Sequence, residues 1–197
     1  DAVVLAAVAD PTGFVDAAAL AGARAAPGEL LDRWRTARRS MAAELAAYPV
    51  GQKLPWFGPP MSPTSMATAR FMETWAHSQD MHDALGAELE VTDRIRHVAH
   101  LGVRTRDFAY AVHEEVPPAD DFRVELTAPS GATWTWGPQD AAQSVTGPAH
   151  DFCLLVTQRV HRDNTALVAS GADAEHWLGI AQAFAGPPGG GREATGA

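Results

Sequence analysis

Apolar residues recur every three or four positions along the first half of the chain, a spacing that predicts helices. The longest early pattern covers residues 29–48, where the arginines fall mostly on the opposite side and are interpreted as a solvated face. Alanine-rich helices are predicted at residues 2–9 and 16–26, and a further helix is predicted at 93–113, capped by Thr92. The first half of the chain is therefore expected to be all-helical.

One more predicted helix, residues 62–86, has clear start and stop signals. Ser62 is a preferred N-cap residue, and Pro63 fits the first turn, where a missing N–H costs nothing. Gly86 suits the left-handed position that follows the last turn. We expect one unbroken helix between these signals.

The same helix carries the candidate chemistry of the chain. Glu73 and His77 are four residues apart, which places their side chains about 40° apart around the helix axis, so that they project together. Asp80 falls on the same stripe. A buried carboxylate or imidazole needs a partner, and a divalent metal is one such partner. This polar stripe is therefore expected to face an internal pocket of a helical bundle.

The character of the chain changes after residue 113. Residues 114–121 are rich in proline and acidic residues and are predicted to be a linker. Residues 122–128 alternate between apolar and polar, and 133–136 return after a Pro-Ser-Gly turn, which predicts a β-hairpin. Further elements are a strand at 143–146, a helix at 149–159, a strand at 165–170 and a helix at 173–184. The predicted fold class is α+β, with a helical domain at 1–113, a small α+β domain at 122–185 and a disordered tail at 186–197.

Composition limits the kind of partner. With 46% hydrophobic and 20% charged residues the chain should be globular, and its net charge of −9 argues against nucleic acid and against an anionic membrane. It contains no long apolar run and no signal-peptide pattern, and its single cysteine excludes an internal disulfide, so a soluble, cytoplasmic protein is expected. The sequence opens at Asp1 directly into an apolar segment, from which we expect that upstream residues are missing.

Glu-x-x-x-His on one helix supplies an oxygen and a nitrogen ligand, for which zinc is the default ion. A hydrogen bond between Glu73 and His77 without any metal explains the same pattern, and the residues alone leave both interpretations open. A catalytic zinc normally has three protein ligands. Asp80 fits better as a group that orients His77 from behind, and His82 points about 180° away from Glu73. The remaining candidates, His97 and His100, lie on a polar stripe that a solvated helix face also explains.

Two residues of the predicted helix at 149–159 have side chains that can take part in chemistry. Arg159 ends an apolar stretch, and it either caps that helix or binds a substrate carboxylate with its planar guanidinium; the residues alone favour capping. Cys153 lies on the apolar face and is interpreted as a small core residue, not a nucleophile. The sequence contains no glycine-rich phosphate loop and no Ser–His–Asp arrangement.

Two segments resemble a known family. They are Met72–Asp80 (Met-Glu-Thr-Trp-Ala-His-Ser-Gln-Asp) and Gly147–Leu155 (Gly-Pro-Ala-His-Asp-Phe-Cys-Leu-Leu), the second leading to Arg159. Over nearly its whole length the chain resembles the mycothiol-dependent maleylpyruvate isomerase-like proteins, and more closely an actinobacterial branch described only as metal-binding. The resemblance implies a DinB-like four-helix bundle, its first helix missing here, followed by an SCP2-like domain. Some members of the branch carry a label for wyosine base formation in tRNA, which the acidic charge disfavours.

The resemblance also implies a ligand set and a chemistry. In that family a divalent metal, usually zinc, is held by a histidine on an early helix together with the Glu and His that correspond to Glu73 and His77. The early histidine should fall just upstream of Asp1. Arg159 is the best match to an arginine of the second domain that is catalytic in the isomerase. The implied cosubstrate is a low-molecular-weight thiol, mycothiol, whose sulfur a metal activates.

Two functions from different classes follow. The first is a metal- and thiol-dependent isomerase or S-transferase acting on a small molecule, with its site between the helical half and the second domain. The second is a non-catalytic protein whose SCP2-like half binds a lipid or another small molecule. The sequence names neither the substrate nor the oligomeric state.

Overall fold

A computed structural model describes residues 2–56 and 60–195. This part of the chain contains eight α-helices and a four-stranded sheet. Six of the helices precede the first strand. This α+β arrangement confirms the predicted fold class. The chain divides into two compact units, residues 1–67 and 68–197.

The first unit is helical. Helix α1 covers Ala2–Ala9, α2 covers Pro11–Ala23 and α3 covers Pro27–Ala47. Helix α2 begins five residues before the prediction because the Asp10 side chain accepts from the Gly13 N–H at 3.0 Å and Pro11 occupies the first turn. The long pattern at residues 29–48 is confirmed as α3.

Helix α4, Pro63–Leu85, follows its sequence signals closely. The Ser62 hydroxyl accepts from the Ser65 N–H at 3.1 Å, which confirms the N-cap. Gly86 has φ +61°, and the Ala87 N–H donates to the His82 carbonyl at 2.9 Å, closing the last turn. The helix that carries the candidate chemistry is therefore continuous and fixed at both ends.

The predicted helix at 93–113 is instead three pieces. A 3-10 turn at Asp93–Ile95 leads into α5, Arg96–Arg104, and α6 follows at Arg106–Val112. Thr92 precedes the turn but its side chain makes no capping hydrogen bond. The break falls at Thr105, whose hydroxyl bonds back to the carbonyls of Leu101 and Gly102 at 3.1 Å each, and such back-bonding competes with regular helix geometry.

The sheet has the strand order β2-β1-β3-β4. Its strands are β1 (Phe122–Thr127), β2 (Thr133–Trp136), β3 (Gln143–Pro148) and β4 (Val168–Ser170). The hairpin of β1 and β2 is antiparallel as predicted, while β1 and β3 run parallel. Gly137 has φ +76°, and a Cβ there would lie 2.0 Å from the Phe122 carbonyl oxygen, so only glycine fits after β2.

Two helices complete the second unit, α7 at Ala149–Val156 and α8 at Ala172–Ile180. Both end earlier than predicted. Helix α7 stops because the Thr157 hydroxyl binds the Cys153 carbonyl at 2.8 Å and Gln158 turns to φ +59°. After α8, the Ala183 N–H pairs with the Val156 carbonyl at 2.7 Å, which holds this segment in a non-helical path.

One cluster of buried apolar residues extends from Met72 to Ala183. It joins side chains of α4 and α5 with those of β1, β3, α7 and α8. The segment 114–121, predicted from its composition to be a linker, thus connects elements that contribute to the same core. The domain boundaries given in the sequence analysis stay a prediction. In the described ranges, no helix is both long enough and apolar enough to cross a membrane.

Candidate metal centre

Glu73 and His77 lie side by side on α4. The Glu73 Oε2 lies 3.5 Å from the His77 Nε2. Two atoms that bind one tetrahedral ion at about 2.1 Å each are about 3.4 Å apart. The separation of this oxygen and this nitrogen therefore fits two ligands of a single divalent ion.

The other nitrogen of the imidazole contacts Asp80. The His77 Nδ1 lies 3.2 Å from the Asp80 Oδ2, less than one turn further along α4. When Nδ1 donates its proton to this carboxylate, Nε2 presents a lone pair to the Glu73 carboxylate. The Glu73 Oε2 and the His77 Nε2, 3.5 Å apart, would then both be acceptors and need a cation between them. This cation can be a proton on Nε2 or a divalent metal. The donor set therefore suits a metal, and a Glu73–His77 hydrogen bond remains the alternative.

Asp80 is held in turn by Arg159. The Arg159 Nη2 donates to Oδ2 at 2.7 Å and its Nε donates to Oδ1 at 3.2 Å, a bidentate ion pair. This hydrogen-bonded guanidinium is the main reason why the pKa of Asp80 lies below its ordinary value, and His77 adds to the effect against the opposing effect of burial. Asp80 thus stays ionised and available as an acceptor for His77.

Arg159 also caps α7. Its Nη1 donates to the carbonyl of Thr157, the residue that ends the helix, at 2.5 Å. The sequence offered capping of the helix and binding of a substrate carboxylate as alternatives. The structure confirms the capping and adds a contact with the carboxylate of Asp80. A contact of Arg159 with a substrate stays a prediction.

A second arginine reaches the same carboxylate from the C-terminal segment. The Arg192 Nη2 lies 3.3 Å from the Asp80 Oδ1 and 2.9 Å from the Asp83 Oδ2. The segment is attached again by Asn164 and Thr195, which exchange two hydrogen bonds of 2.9 Å. Residues 186–195 contain no helix or strand, yet they have defined partners. Sequence reasoning missed Arg192, because one arginine among glycines and prolines carries no signal for its partner.

The polar stripe of α4 is at the surface and not in the internal pocket that the sequence analysis expected. The side chain of His77 is 68% exposed and that of Glu73 is 33% exposed. The buried residues of α4 next to this stripe are instead Met72, Trp75 and Ala76. Neighbouring positions on a helix are about 100° apart, so when these apolar side chains enter the core the polar ones lie at its rim.

The additional ligand candidates lie elsewhere. His82 binds the Ser78 carbonyl oxygen through Nδ1 at 2.7 Å, His97 packs edge-on against Phe71, and His100 accepts from Trp136. Among the residues that the structure describes, no three His, Cys, Asp or Glu side chains are placed to hold a metal together. The third ligand implied by the family resemblance stays a prediction.

Cys153 is confirmed as a core residue. Its side chain is fully buried, its Sγ lies 3.4 Å from the Ile95 carbonyl oxygen, and burial raises the pKa of the thiol well above its ordinary value. A neutral, inaccessible thiol is neither a nucleophile nor a metal ligand.

Comparison with known proteins gives two matches to protein families. Residues 1–82 match the mycothiol maleylpyruvate isomerase N-terminal domain, and residues 118–170 match a family described as wyosine base formation. Two curated relatives are uncharacterized proteins of Mycobacterium tuberculosis, from strains CDC 1551 and H37Rv. Each is 60% identical over 187 residues, which is 95% of this chain and 73% of the relative. The chain belongs to the mycothiol maleylpyruvate isomerase-like family.

The two matched segments divide the candidate site between them. The mycothiol maleylpyruvate isomerase N-terminal domain includes Glu73, His77 and Asp80, whereas Arg159 lies in the segment matched by the second family. The ion pair of Asp80 with Arg159 therefore joins the two matched segments at the candidate site.

Proposed function

We propose that this chain binds a divalent metal, with zinc as the preferred ion, through Glu73 and His77, and that the site acts on a small thiol such as mycothiol. The observation that carries the proposal is the 3.5 Å approach of the Glu73 Oε2 to the His77 Nε2. The Nδ1 side of the imidazole faces Asp80 at 3.2 Å and the Arg159 Nη2 at 3.5 Å. The thiol is proposed from the family alone.

Each protein group has a defined task. Glu73 and His77 would hold the ion, Asp80 fixes the tautomer and orientation of the imidazole, and Arg159 keeps Asp80 ionised and in place. A bound divalent ion supplies a Lewis acid that favours the thiolate over the thiol. Because Arg159 contacts Asp80, Thr157 and the His77 Nδ1, we assign it a positioning role. Its predicted contact with a substrate carboxylate stays a prediction.

The proposed reaction class is isomerisation or S-transfer. A thiolate adds to an electron-poor carbon–carbon double bond and leaves a carbanion that rotates about the resulting single bond. Expulsion of the thiolate then gives the isomer, whereas protonation of the carbanion gives the thioether. The partner is proposed to be a small molecule and not a tRNA, because the net charge of −9 opposes binding to a polyanionic backbone of that size.

Zinc titration of the purified, metal-free chain tests the proposal. Isothermal titration calorimetry should detect one site in the wild-type protein, and the Glu73→Gln and His77→Gln variants should each weaken it by roughly a hundredfold or more. His82→Gln is the matched control, because His82 lies on the same helix but is bound to the Ser78 carbonyl oxygen. Equal zinc affinity in all four proteins would reject the metal site.

One observation favours a second function, the binding of a small, largely apolar molecule. A cavity of about 430 Å³ lies at the C-terminal ends of the parallel strands β1 and β3, a size typical of ligand pockets. It is lined mostly by apolar residues together with one imidazole, namely Val91, Thr127, Ala128, Pro129, Gly147, Pro148 and His150.

Mass spectrometry of organic extracts of the purified protein tests this alternative. An apolar compound should co-purify with the wild-type chain and be lost in Thr127→Trp, which fills the cavity from its exposed rim. The Thr135→Trp variant is the control, since Thr135 is an exposed residue of β2 outside the cavity lining. A compound bound equally to both variants would contradict binding in the cavity.

A further inference from the structure

Helix α5 carries a row of basic side chains on one face. Arg96, His100 and Arg104 follow one another at intervals of four residues, about 6 Å along the helix axis, and His97 lies within the same arc of about 100°. All four are exposed. Trp136 of β2 joins the row by donating from its indole N–H to the His100 Nδ1 at 3.1 Å. These five residues are called the α5 face.

The arginines of this face lack carboxylate partners. Most other arginines of the second unit form ion pairs, and these are Arg106, Arg123, Arg159, Arg162 and Arg192. Arg96 and Arg104 form none with residues 2–56 or 60–195, and Arg96 instead lies over the ring of Trp134, 6.0 Å from its centre. In a chain with a net charge of −9, two uncompensated arginines on one helix face concentrate positive charge locally.

The charged groups around His100 are also positive. Burial and then the charges of Arg104, Arg96 and His97 lower its pKa, and no carboxylate is among the groups that act on it. Because Nδ1 accepts from Trp136, the proton of the neutral ring is on Nε2. The free edge of His100 therefore presents an N–H donor at a helix position between Arg96 and Arg104.

We propose that the α5 face binds a phosphate-bearing small molecule. Arg96 and Arg104 supply the two cationic ends, the His100 N–H lies between them, and the partly exposed ring of Trp136 forms an aromatic wall. The two arginines are about 12 Å apart along the axis, a span that matches several linked negative charges better than one carboxylate. The site is independent of Glu73 and His77, so its test requires no metal.

Calorimetric titration of the full chain with sodium tripolyphosphate at low ionic strength tests the proposal. Saturable binding is expected in the wild-type protein, and it should be roughly tenfold or more weaker in the Arg96→Gln, Arg104→Gln double variant, which loses two charge-assisted contacts. Arg24→Gln is the control: it removes the charge of another exposed arginine, the C-cap of α2, and should leave the affinity unchanged. Circular dichroism should show equal folding of all variants, because the substituted side chains are exposed.

NMR distinguishes binding at the α5 face from a general effect of the protein's charge. Tripolyphosphate should shift the imidazole resonances of His100 and the indole N–H of Trp136 in the wild-type protein and not in the double variant. Absence of saturable binding, or equal affinity in the double variant, would overturn the proposal. A single-stranded oligonucleotide that binds through the same arginines while tripolyphosphate does not would overturn the assignment to a small molecule.

Discussion

Arg159 and Asp80, which are 79 residues apart in the sequence, form a bidentate ion pair beside the candidate metal ligands. The Arg159 side chain is only 17% exposed, so this pair is better shielded from water than a typical surface pair. The pair links α4 to the residue that caps α7.

Replacing Arg159 by Gln should lower the free energy of unfolding by about 1–3 kcal/mol, because a charge-assisted contact and a helix cap are lost together. Chemical denaturation measures the change. The matched control is Arg123→Gln, which removes a pair with a half-exposed Glu125 and a hydrogen bond to the Gly137 carbonyl oxygen, and it should cost about 1 kcal/mol or less. Similar losses in both variants would contradict a special contribution of Arg159.

The Asp80→Ala variant should bind zinc about 10- to 100-fold more weakly than the wild-type protein, because the imidazole of His77 loses the acceptor that orients it. Competition against a chromogenic chelator measures the affinity. Asp83→Ala provides the control, since Asp83 contacts Arg192 but not His77. If both variants bind zinc as the wild type does, Asp80 does not position the ligand.

The C-terminal segment should show partial protection from hydrogen exchange. Its anchors are the Asn164–Thr195 pair of hydrogen bonds and the contacts of Arg192 with Asp80 and Asp83. Asn164→Ala together with Arg192→Gln should speed exchange in residues 186–195 and leave α7 unchanged, because these exposed contacts add little to global stability. Full exchange of this segment in the wild type at the earliest time would contradict the anchoring.

Cys153 should not react with a thiol reagent in the folded protein. Its side chain is buried and its pKa is raised by burial, so labelling requires unfolding. The labelling rate with an aromatic disulfide should rise steeply with denaturant, in parallel with the unfolding rate. Rapid labelling under native conditions would show that the core around α7 opens locally.

His150 should make the protein sensitive to acid. Burial lowers its pKa below the ordinary value of 6.5, so the unfolded chain takes up a proton at a higher pH than the folded chain does. The burial of the neutral His150 is therefore compatible with full stability above pH 6.5, and stability is lost as the pH falls below 6.5, where the unfolded chain takes up the proton first. His150→Gln should therefore reduce the loss of unfolding free energy between about pH 7.5 and about pH 5.5.

The control for this pH dependence is His113→Gln, which removes an exposed histidine. Its loss of stability over the same pH range should equal that of the wild type. Equal losses in wild type, His150→Gln and His113→Gln would show that His150 does not contribute to the acid response.

The helix that carries the candidate site could be predicted from sequence because its signals are local. Ser62 and Gly86 act within one turn of the residues they terminate, and the Glu73–His77 spacing alone brings the two side chains together. The hairpin of β1 and β2 is predictable for the same reason, since alternation and a turn specify it.

The features that sequence reasoning missed depend on distant residues. The partner of Arg159 is 79 positions away, and nothing in the residues around it indicates which carboxylate it binds. The prediction that the polar stripe of α4 faces an internal pocket was wrong, because the apolar side chains of Met72, Trp75 and Ala76 beside it enter the core instead. Thr105 divides the predicted helix at 93–113 through its own hydroxyl, a local effect that apolar periodicity does not detect.

The continuous cluster of buried residues from Met72 to Ala183 has a consequence for protein engineering. A chimera that takes everything after residue 121 from a relative would combine Val98 and Ala99 of this chain with foreign counterparts of Phe152 and Val156. A Cβ added at Gly102 would lie only 2.8 Å from the Val156 Cγ2. The residues on the two sides of this contact therefore have to come from the same parent. Recombination between family members should succeed where these contact residues are inherited together.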